Sequence, residues 1–481
     1  MSEELTALSA ARLAEAIRRR EVSPVEAAEA YLRRVGELNP RLNAVVTLAP
    51  DVLERAREAE RALMRGAADG ALHGVPLTVK DTFDVAGLRA TAGSLVRAER
   101  VPAADAPAVA LLRAAGAIIL GKTNCAEMAL DYTADNPLFG RTNNPYDPSR
   151  TPGGSSGGCA SAVAAGLAAA SLGSDLAGSV RIPAHFCGVV GLRPTTTTVA
   201  RRGGHCPPVV GAHALGASFG PLARTVEDAR LVYRATAVEG GWRFGAESGG
   251  GDWADGARLR GLRFYWYEDD GAVPVAQEVR EAVRAAARAL EEAGLNAVGE
   301  RPPHVAGANE LWLSLFSRET RRFLRAEYAG REERAGPTAR AIIGRAEEAA
   351  AQTLDDFLAA WERRDRRRLE LLERMRSTPL VVAPVGPVAA FRHGEARRVE
   401  VGGRSLNTFR AFGYAQAFNV YDLPAVSVPA GRTREGLPVG VQLVGRPFEE
   451  DLVLAAAAIV EQALGGWHPP QTLPNDRANQ L

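Results

Sequence analysis

Between residues 41 and 130 short apolar runs alternate with helical periodicity, an order that few architectures accept. Asn43 to Leu48 and Val75 to Val79 read as strands, Ala106 to Ala115 as a helix, and Ala117 to Leu120 as a buried strand. Alternation of this kind predicts an α/β layer architecture with helices packed on a sheet. The first 40 residues read as two helices, the second opening on Ser23-Pro24-Val25-Glu26, a capping box with proline at the first helical position.

Downstream, residues 131 to 158 form a long loop rich in Asn, Pro, Asp and Gly, followed by a small-residue helix from Ala160 to about Ala170. Small side chains permit close backbone approach, so this helix is expected near the centre. Gly245 to Gly256, reading GAESGGGDWADG, is the best candidate for an internal boundary. Residues 276 to 296 and 308 to 376 are strongly helical and charged. Leu380 to Ala383, Ala425 to Val428 and Val439 to Val444 return to strand character, and a helix follows from Glu450 to Leu464. The expectation is one core interrupted by a helical region near 230 to 400.

Composition narrows the function classes. The 481 residues carry 58 Lys plus Arg against 57 Asp plus Glu, a net charge of +1, which offers no electrostatic footprint for nucleic acid or an anionic membrane. Cys125, Cys159, Cys187 and Cys206 include no Cys-x-x-Cys pair, so free thiols in a reducing, cytoplasmic setting are expected, without a zinc or redox motif. The N-terminus lacks a basic segment followed by an apolar run, and the least polar stretch, Cys159 to Gly173, falls short of a membrane span.

Only two of the cationic residues are lysines, Lys80 and Lys122. Arginine stays charged, whereas a buried lysine can become a neutral base. These two are therefore candidates for chemistry that arginine cannot perform.

Several pattern matches fail on context. Gly116 to Thr123 fits G-x-x-x-x-G-K-[ST], but Ala-Ile-Ile-Leu makes a strand where a phosphate loop is needed. Gly153 to Gly157 fits the G-x-S-x-G nucleophile elbow of an esterase, yet Pro148 and Pro152 exclude the central strand that should precede it. Ser-x-x-Lys is absent, since Leu77 and Ile119 precede the lysines by three.

A third constellation holds together: Lys80, the run Gly153-Gly154-Ser155-Ser156-Gly157-Gly158, and Gly173-Ser174-Asp175-Leu176-Ala177-Gly178-Ser179-Val180-Arg181. Here the sequence resembles the amidase signature family, whose catalytic unit is Ser–cis-Ser–Lys, in the 75-residue interval from Lys80 to Ser155 and the 24-residue interval to Ser179. His73 to Asp81, Asn136 to Gly158, Phe186 to Thr195, Gly220 to Asp228 and Gly436 to Gly445 also read as family segments. The likeness is weakest between about 230 and 400. It implies an α/β/α layered fold with a central mixed sheet, and a single amidase domain over 1–481 with its core at about 40–230 and 400–470.

The resemblance implies Ser179 as nucleophile, Ser155 as proton relay after a cis peptide, and Lys80 as base. Backbone N–H groups of Leu176, Ala177, Gly178 and Ser179 would receive the oxyanion. Chemistry asks for the same parts: a nucleophile, a proton carrier, and donors aimed at developing charge. Burial would lower the lysine pKa and free its amine. Ser156 and Ser174 would donate hydrogen bonds nearby. Asp175 and Arg181 would either orient backbone and hydroxyls or form a buried ion pair. Lys122, in a family-like Gly-Lys-Thr-Asn segment, has no chemical step to serve and reads as structural.

Two departures matter. The family commonly has Gly-Gly before the nucleophile where this chain has Ala177-Gly178, harmful if position 177 requires positive φ. Thr195 to Thr198 replaces a glycine-containing turn, so contacts around 195 to 206 do not carry over. The expected activity is a free-standing amidohydrolase on a small-molecule amide, with no metal or organic cofactor. The alternatives are an amidotransferase component that releases ammonia from glutamine within a multi-subunit complex, an esterase, and a silent binding protein. The pocket should form from about 125–140, the helical insertion and 405–420. A homo-oligomer stays open.

Overall fold

Ser23 caps its helix as its sequence context requires. Its hydroxyl accepts from Glu26 N while the Glu26 carboxylate accepts from Ser23 N, and the helix runs Pro24–Leu42. The computed structural model describes residues 2–238, 259–344, 352–394 and 397–471. The 245–256 stretch proposed as a boundary lies outside these residues. Upstream of Pro24 there are two helices rather than one, Ser2–Ala7 and Ala10–Arg18, because Ser9 breaks the periodicity and caps the second by accepting from Arg12 N.

Thirteen strands follow in chain order among the described residues. β1 is Val45–Leu48, β2 Pro76–Lys80, β3 Ile118–Thr123, β4 Ala170–Asp175, β5 Val190–Arg193 and β6 Ser218–Ala223. β7 is Arg263–Trp266, β8 Asn296–Val298, β9 Leu380–Pro384, β10 Arg398–Val401, β11 Arg404–Asn407, β12 Ala425–Arg432 and β13 Pro438–Val444. Eleven of them form one mixed sheet in the order β1-β3-β2-β4-β6-β5-β12-β13-β9-β7-β8, and β10–β11 is a separate hairpin. Every residue of β2, β3, β4, β9 and β13 is buried, as strands covered on both faces must be. Helices flank this sheet in an α/β/α arrangement.

The 230–400 region, expected to be helical apart from a strand at Leu380 to Ala383, contributes two further strands to the sheet. It carries the helices Gln277–Glu292, Ala308–Tyr328, Pro337–Gly344 and Leu354–Met375, but also β7, β8 and β9. β9 pairs antiparallel with β13, and β7 pairs parallel with β9, so this segment extends the sheet itself. β7 and β8 are four and three residues long. Runs that short leave little period-2 signal among helical neighbours. The small-residue helix is also displaced, running Gly157–Ala164, with Ala170 already opening β4.

Two parallel strands set up the centre. β2 pairs with β4 in the register Leu77↔Ala170, Thr78↔Ser171 and Val79↔Leu172. Their carboxyl ends, at Lys80 and Asp175, therefore emerge side by side, where open α/β sheets place their ligands. The all-buried helix Gly157–Ala164 packs against β4 and delivers the Gly-Ser loop to the same place.

Candidate active site

Lys80 is the last residue of β2 and has no solvent exposure. Its amine donates to Ser155 Oγ at 2.7 Å and to Ser174 Oγ at 3.0 Å, and it makes no ion pair among the described residues. Burial pushes the amine down to about 8 from its ordinary 10.5, against a weaker opposing pull from the Asp175 carboxylate. Burial also raises the thiols of Cys125 and Cys159, so neither supplies a negative charge at neutral pH. All four cysteines are free and buried.

The Gly154–Ser155 peptide is cis. Gly154 is required by contact, since a Cβ there would lie 2.3 Å from Thr133 O and 2.5 Å from Thr133 N. Ser156 ties the two serine segments together: its N–H donates to Ser179 O at 3.1 Å and its hydroxyl to Ser174 O at 3.3 Å. Ser155, Ser174 and Ser179 all line one cavity, with Ser179 8% exposed. The rest of the wall is largely apolar and includes Leu176, Pro207, Val209 and Phe219.

Asp175 and Arg181 are a buried ion pair, Nε to Oδ2 at 3.1 Å. Burial would raise the Asp175 carboxyl, but the guanidinium, together with the Asn419 amide, holds it well below the usual carboxylate range. The carboxylate also accepts from Gly178 N at 2.8 Å and Val180 N at 3.1 Å. Arg181 reaches on to Gln442 Oε1 at 2.8 Å and Asn419 Oδ1 at 2.6 Å. Gln442 and Asn419 were not singled out from the sequence. An amide inside the otherwise apolar β13 was the available signal.

Of the four backbone donors expected at 176–179, the Gly178 N–H is directed at Asp175. Those of Leu176, Ala177 and Ser179 meet no acceptor among the described residues. Ala177 does not have positive φ, whereas Gly178 does, at +99°. Alanine at 177 therefore costs the loop nothing in backbone strain.

Lys122 lies on the neighbouring strand β3. Its amine donates to Asp81 Oδ1 at 3.2 Å, Phe83 O at 2.6 Å and Arg89 O at 3.3 Å, which uses all its donors. Gly116 to Thr123 contains β3, so no phosphate loop exists there. Residues 148–154 form no strand leading into Ser155, and no histidine bonds a cavity serine among the described residues, so the esterase elbow is not formed there. Thr195 and Thr196 dock the C-terminal segment, donating from their N–H groups to Glu450 and Asp422.

Three residues at the site escaped the sequence reading. His205 lines the cavity, and burial pushes its ring down to about 3; Nδ1 lies 2.7 Å from Pro207 O and Nε2 has no partner among the described residues. Tyr132 and Trp312 each donate to the 176–177 backbone, at Ala177 O and Leu176 O respectively. No group of His, Cys, Asp and Glu among the described residues is arranged to hold a metal, and no described helix is long and apolar enough to cross a membrane.

A family model described as Amidase matches residues 26–454. The chain is 33% identical to a Glutamyl-tRNA(Gln) amidotransferase subunit of Carboxydothermus hydrogenoformans, with 95% of this chain and 98% of that protein covered. It is 30% identical to human Fatty-acid amide hydrolase 2, with 98% and 91% covered. Among solved structures it superposes on a 6-aminohexanoate cyclic dimer hydrolase complexed with substrate at a TM-score of 0.85 and 29% identity, covering 98% of this chain and 100% of that one. A bacterial aryl acylamidase of the amidase signature enzymes gives 0.83 at 26% identity, with 95% and 96% covered. With a family match that spans most of its length and full-length relatives above 30% identity, the chain belongs to the amidase signature family.

Proposed function

We propose that the protein hydrolyses the C–N bond of a small-molecule carboxamide through an acyl-enzyme on Ser179. The observation that carries this reading is a buried amine, without a carboxylate partner among the described residues, bonded to Ser155 beside a cavity that Ser179 shares. An amine with its pKa near 8 is neutral in a useful fraction of molecules at neutral pH.

Neutral Lys80 takes the Ser155 proton as Ser155 takes that of Ser179. Ser179 Oγ then bonds to the amide carbon, and the carbonyl electron pair moves onto oxygen. The free N–H groups of Leu176, Ala177 and Ser179 are the donors available to that oxyanion, while Gly178 N–H keeps the Asp175 carboxylate in place. Ser155 passes a proton to the leaving nitrogen, the C–N bond breaks, and Lys80 reprotonates Ser155. Water then cleaves the ester by the same relay in reverse. Asp175, Arg181, Ser156 and Ser174 act through position, holding the loop and the lysine.

A second reading, an amidotransferase component that takes ammonia from glutamine, is favoured by the identity to the tRNA-dependent amidotransferase proteins. Purified chain assayed alone on simple amides, anilides and glutamine separates the two. Turnover of amides by the isolated chain supports the free-standing hydrolase, whereas glutaminase activity that requires added partner proteins overturns it. Labelling by a fluorophosphonate, lost in Ser179→Ala, tests the nucleophile; an unlabelled wild-type protein rejects the acyl-enzyme.

A further inference from the structure

Trp312 and Tyr132 hold two consecutive peptide planes by their carbonyl oxygens. Trp312 Nε1 donates to Leu176 O at 2.8 Å, and Tyr132 Oη donates to Ala177 O at 2.9 Å. In a trans peptide the C=O and the following N–H point in opposite directions, so fixing one fixes the other. The first bond therefore aims the Ala177 N–H, which has no acceptor among the described residues. The second orients the next plane, whose Gly178 N–H meets Asp175 Oδ1 at 2.8 Å.

Both donors are themselves fixed. Tyr132 Oη accepts from Gln416 Nε2 at 2.7 Å, and Gln416 Oε1 accepts from Asn309 Nδ2 at 2.7 Å. Phe409 packs on both rings, with centroids 4.7 Å from Trp312 and 5.6 Å from Tyr132. Asn309 and Trp312 stand three residues apart on the helix Ala308–Tyr328, and neighbours at that spacing share a helix face. One face of a helix from the segment least like the family thus reaches the loop twice, directly through Trp312 and through Gln416 and Tyr132.

We propose that Trp312 and Tyr132 are positioning residues for amide hydrolysis, a clamp that pre-aims the Ala177 N–H at the oxyanion and makes the helix Ala308–Tyr328 part of the catalytic frame. The proposal rests on the hydrolase reading. A donor that is already oriented needs no reorganisation when charge develops, which is where such groups gain their effect. The clamp touches neither the nucleophile nor the lysine, so its loss weakens the transition state and leaves ground-state binding alone.

The test compares Tyr132→Phe and Trp312→Phe with wild type on a series of p-nitroanilides from acetyl to decanoyl. Tyr132→Phe keeps the ring and deletes only the hydroxyl. The expected result is a fall in kcat of about 10- to 100-fold in each variant, with KM within about twofold. The backbone amide resonance of Ala177 supplies a readout independent of turnover. It should be a single sharp signal in wild type and broadened by exchange in both variants. Wild-type kcat together with an unchanged Ala177 signal in either variant overturns the clamp, as does a loss confined to KM. A wild-type protein inactive on every anilide rejects the hydrolase reading, and the Ala177 signal then decides the clamp by itself.

Discussion

Lys80 and Lys122, the only lysines in the chain, lie at the carboxyl ends of neighbouring parallel strands, Lys80 last in β2 and Lys122 next to last in β3, one register position apart, with Val79 facing Lys122 and Lys80 facing Thr123. Both are fully buried, yet among the described residues only Lys122 has a carboxylate partner, Asp81 at 3.2 Å. The same residue type thus carries opposite chemistry within one sheet, because one amine is paired and the other faces two hydroxyls. Lys80→Arg should be as inactive as Lys80→Met, since arginine keeps the charge and cannot accept the serine proton. Amide turnover, measured for both variants, should fall by at least about 1,000-fold, of the order of removing a member of a catalytic unit. Substantial activity in Lys80→Arg refutes the base assignment.

The depressed lysine pKa also sets the pH dependence. With Lys80 as the proposed base, kcat/KM should rise about tenfold per pH unit below the Lys80 pKa and level off above about 8. Stability carries the same sign. The unfolded chain binds this proton more tightly than the folded protein, so below about pH 8 the buried charge costs stability, and the cost fades between about 8 and 10.5. That interval corresponds to about 3 kcal/mol, an upper bound for the gain in Lys80→Met at pH 7, since the mutant also loses the bonds to Ser155 and Ser174. Thermal melts at pH 7 and pH 10 should show the mutant's advantage shrinking with alkalinity. An advantage that grows with pH contradicts the sign.

Much of this site was legible in advance because it depends on residue types at set intervals. Lys80, Ser155 and Ser179 are marked by their resemblance to the amidase signature family, and the arginine bias by itself isolates Lys80 together with Lys122. Strands β2 and β3 were readable from their apolar runs. β7 and β8 were not, because short strands at a sheet edge take their identity from partners far along the chain. The Trp312 contact was illegible for the same reason: it joins a side chain to a backbone carbonyl 136 residues away. An indole in a helix looks like core until its acceptor is known. Conversely, alanine at 177 in place of the family's glycine is harmless for a reason that residue types do not reveal, since the backbone places its positive φ at Gly178.

Lys122 predicts a stability defect without a change in mechanism. Lys122→Met removes the partner of a buried carboxylate and three hydrogen bonds, and breaking such a pair costs about 3–5 kcal/mol. Urea denaturation should show a loss of that order. The pH midpoint of residual kcat/KM should stay where it is in wild type, because the Lys80 contacts are untouched. A displaced midpoint would make Lys122 part of the proton relay.

Adjacent positions 177 and 178 offer the sharpest contrast. Gly178 has φ of +99°, and a Cβ there would meet Ala415 Cβ at 2.5 Å and Ile182 Cδ1 at 2.7 Å. Both backbone strain and overlap therefore oppose Gly178→Ala, at about 1–3 kcal/mol, and relief can come only by moving the loop that bears Ser179. Because Gly178 N–H also holds Asp175, the displacement reaches the ion pair with Arg181. We expect kcat in Gly178→Ala to fall by about 100-fold or more, the scale of a lost oxyanion donor. Ala177→Gly, at a position without positive φ, should keep kcat within about twofold and lose about 0.4–1 kcal/mol of stability through a freer unfolded chain. Steady-state kinetics and melts on the two variants read both effects. Equal kinetic damage at 177 and 178 would mean that the loop is held by something other than the glycine's conformation and the carboxylate it faces.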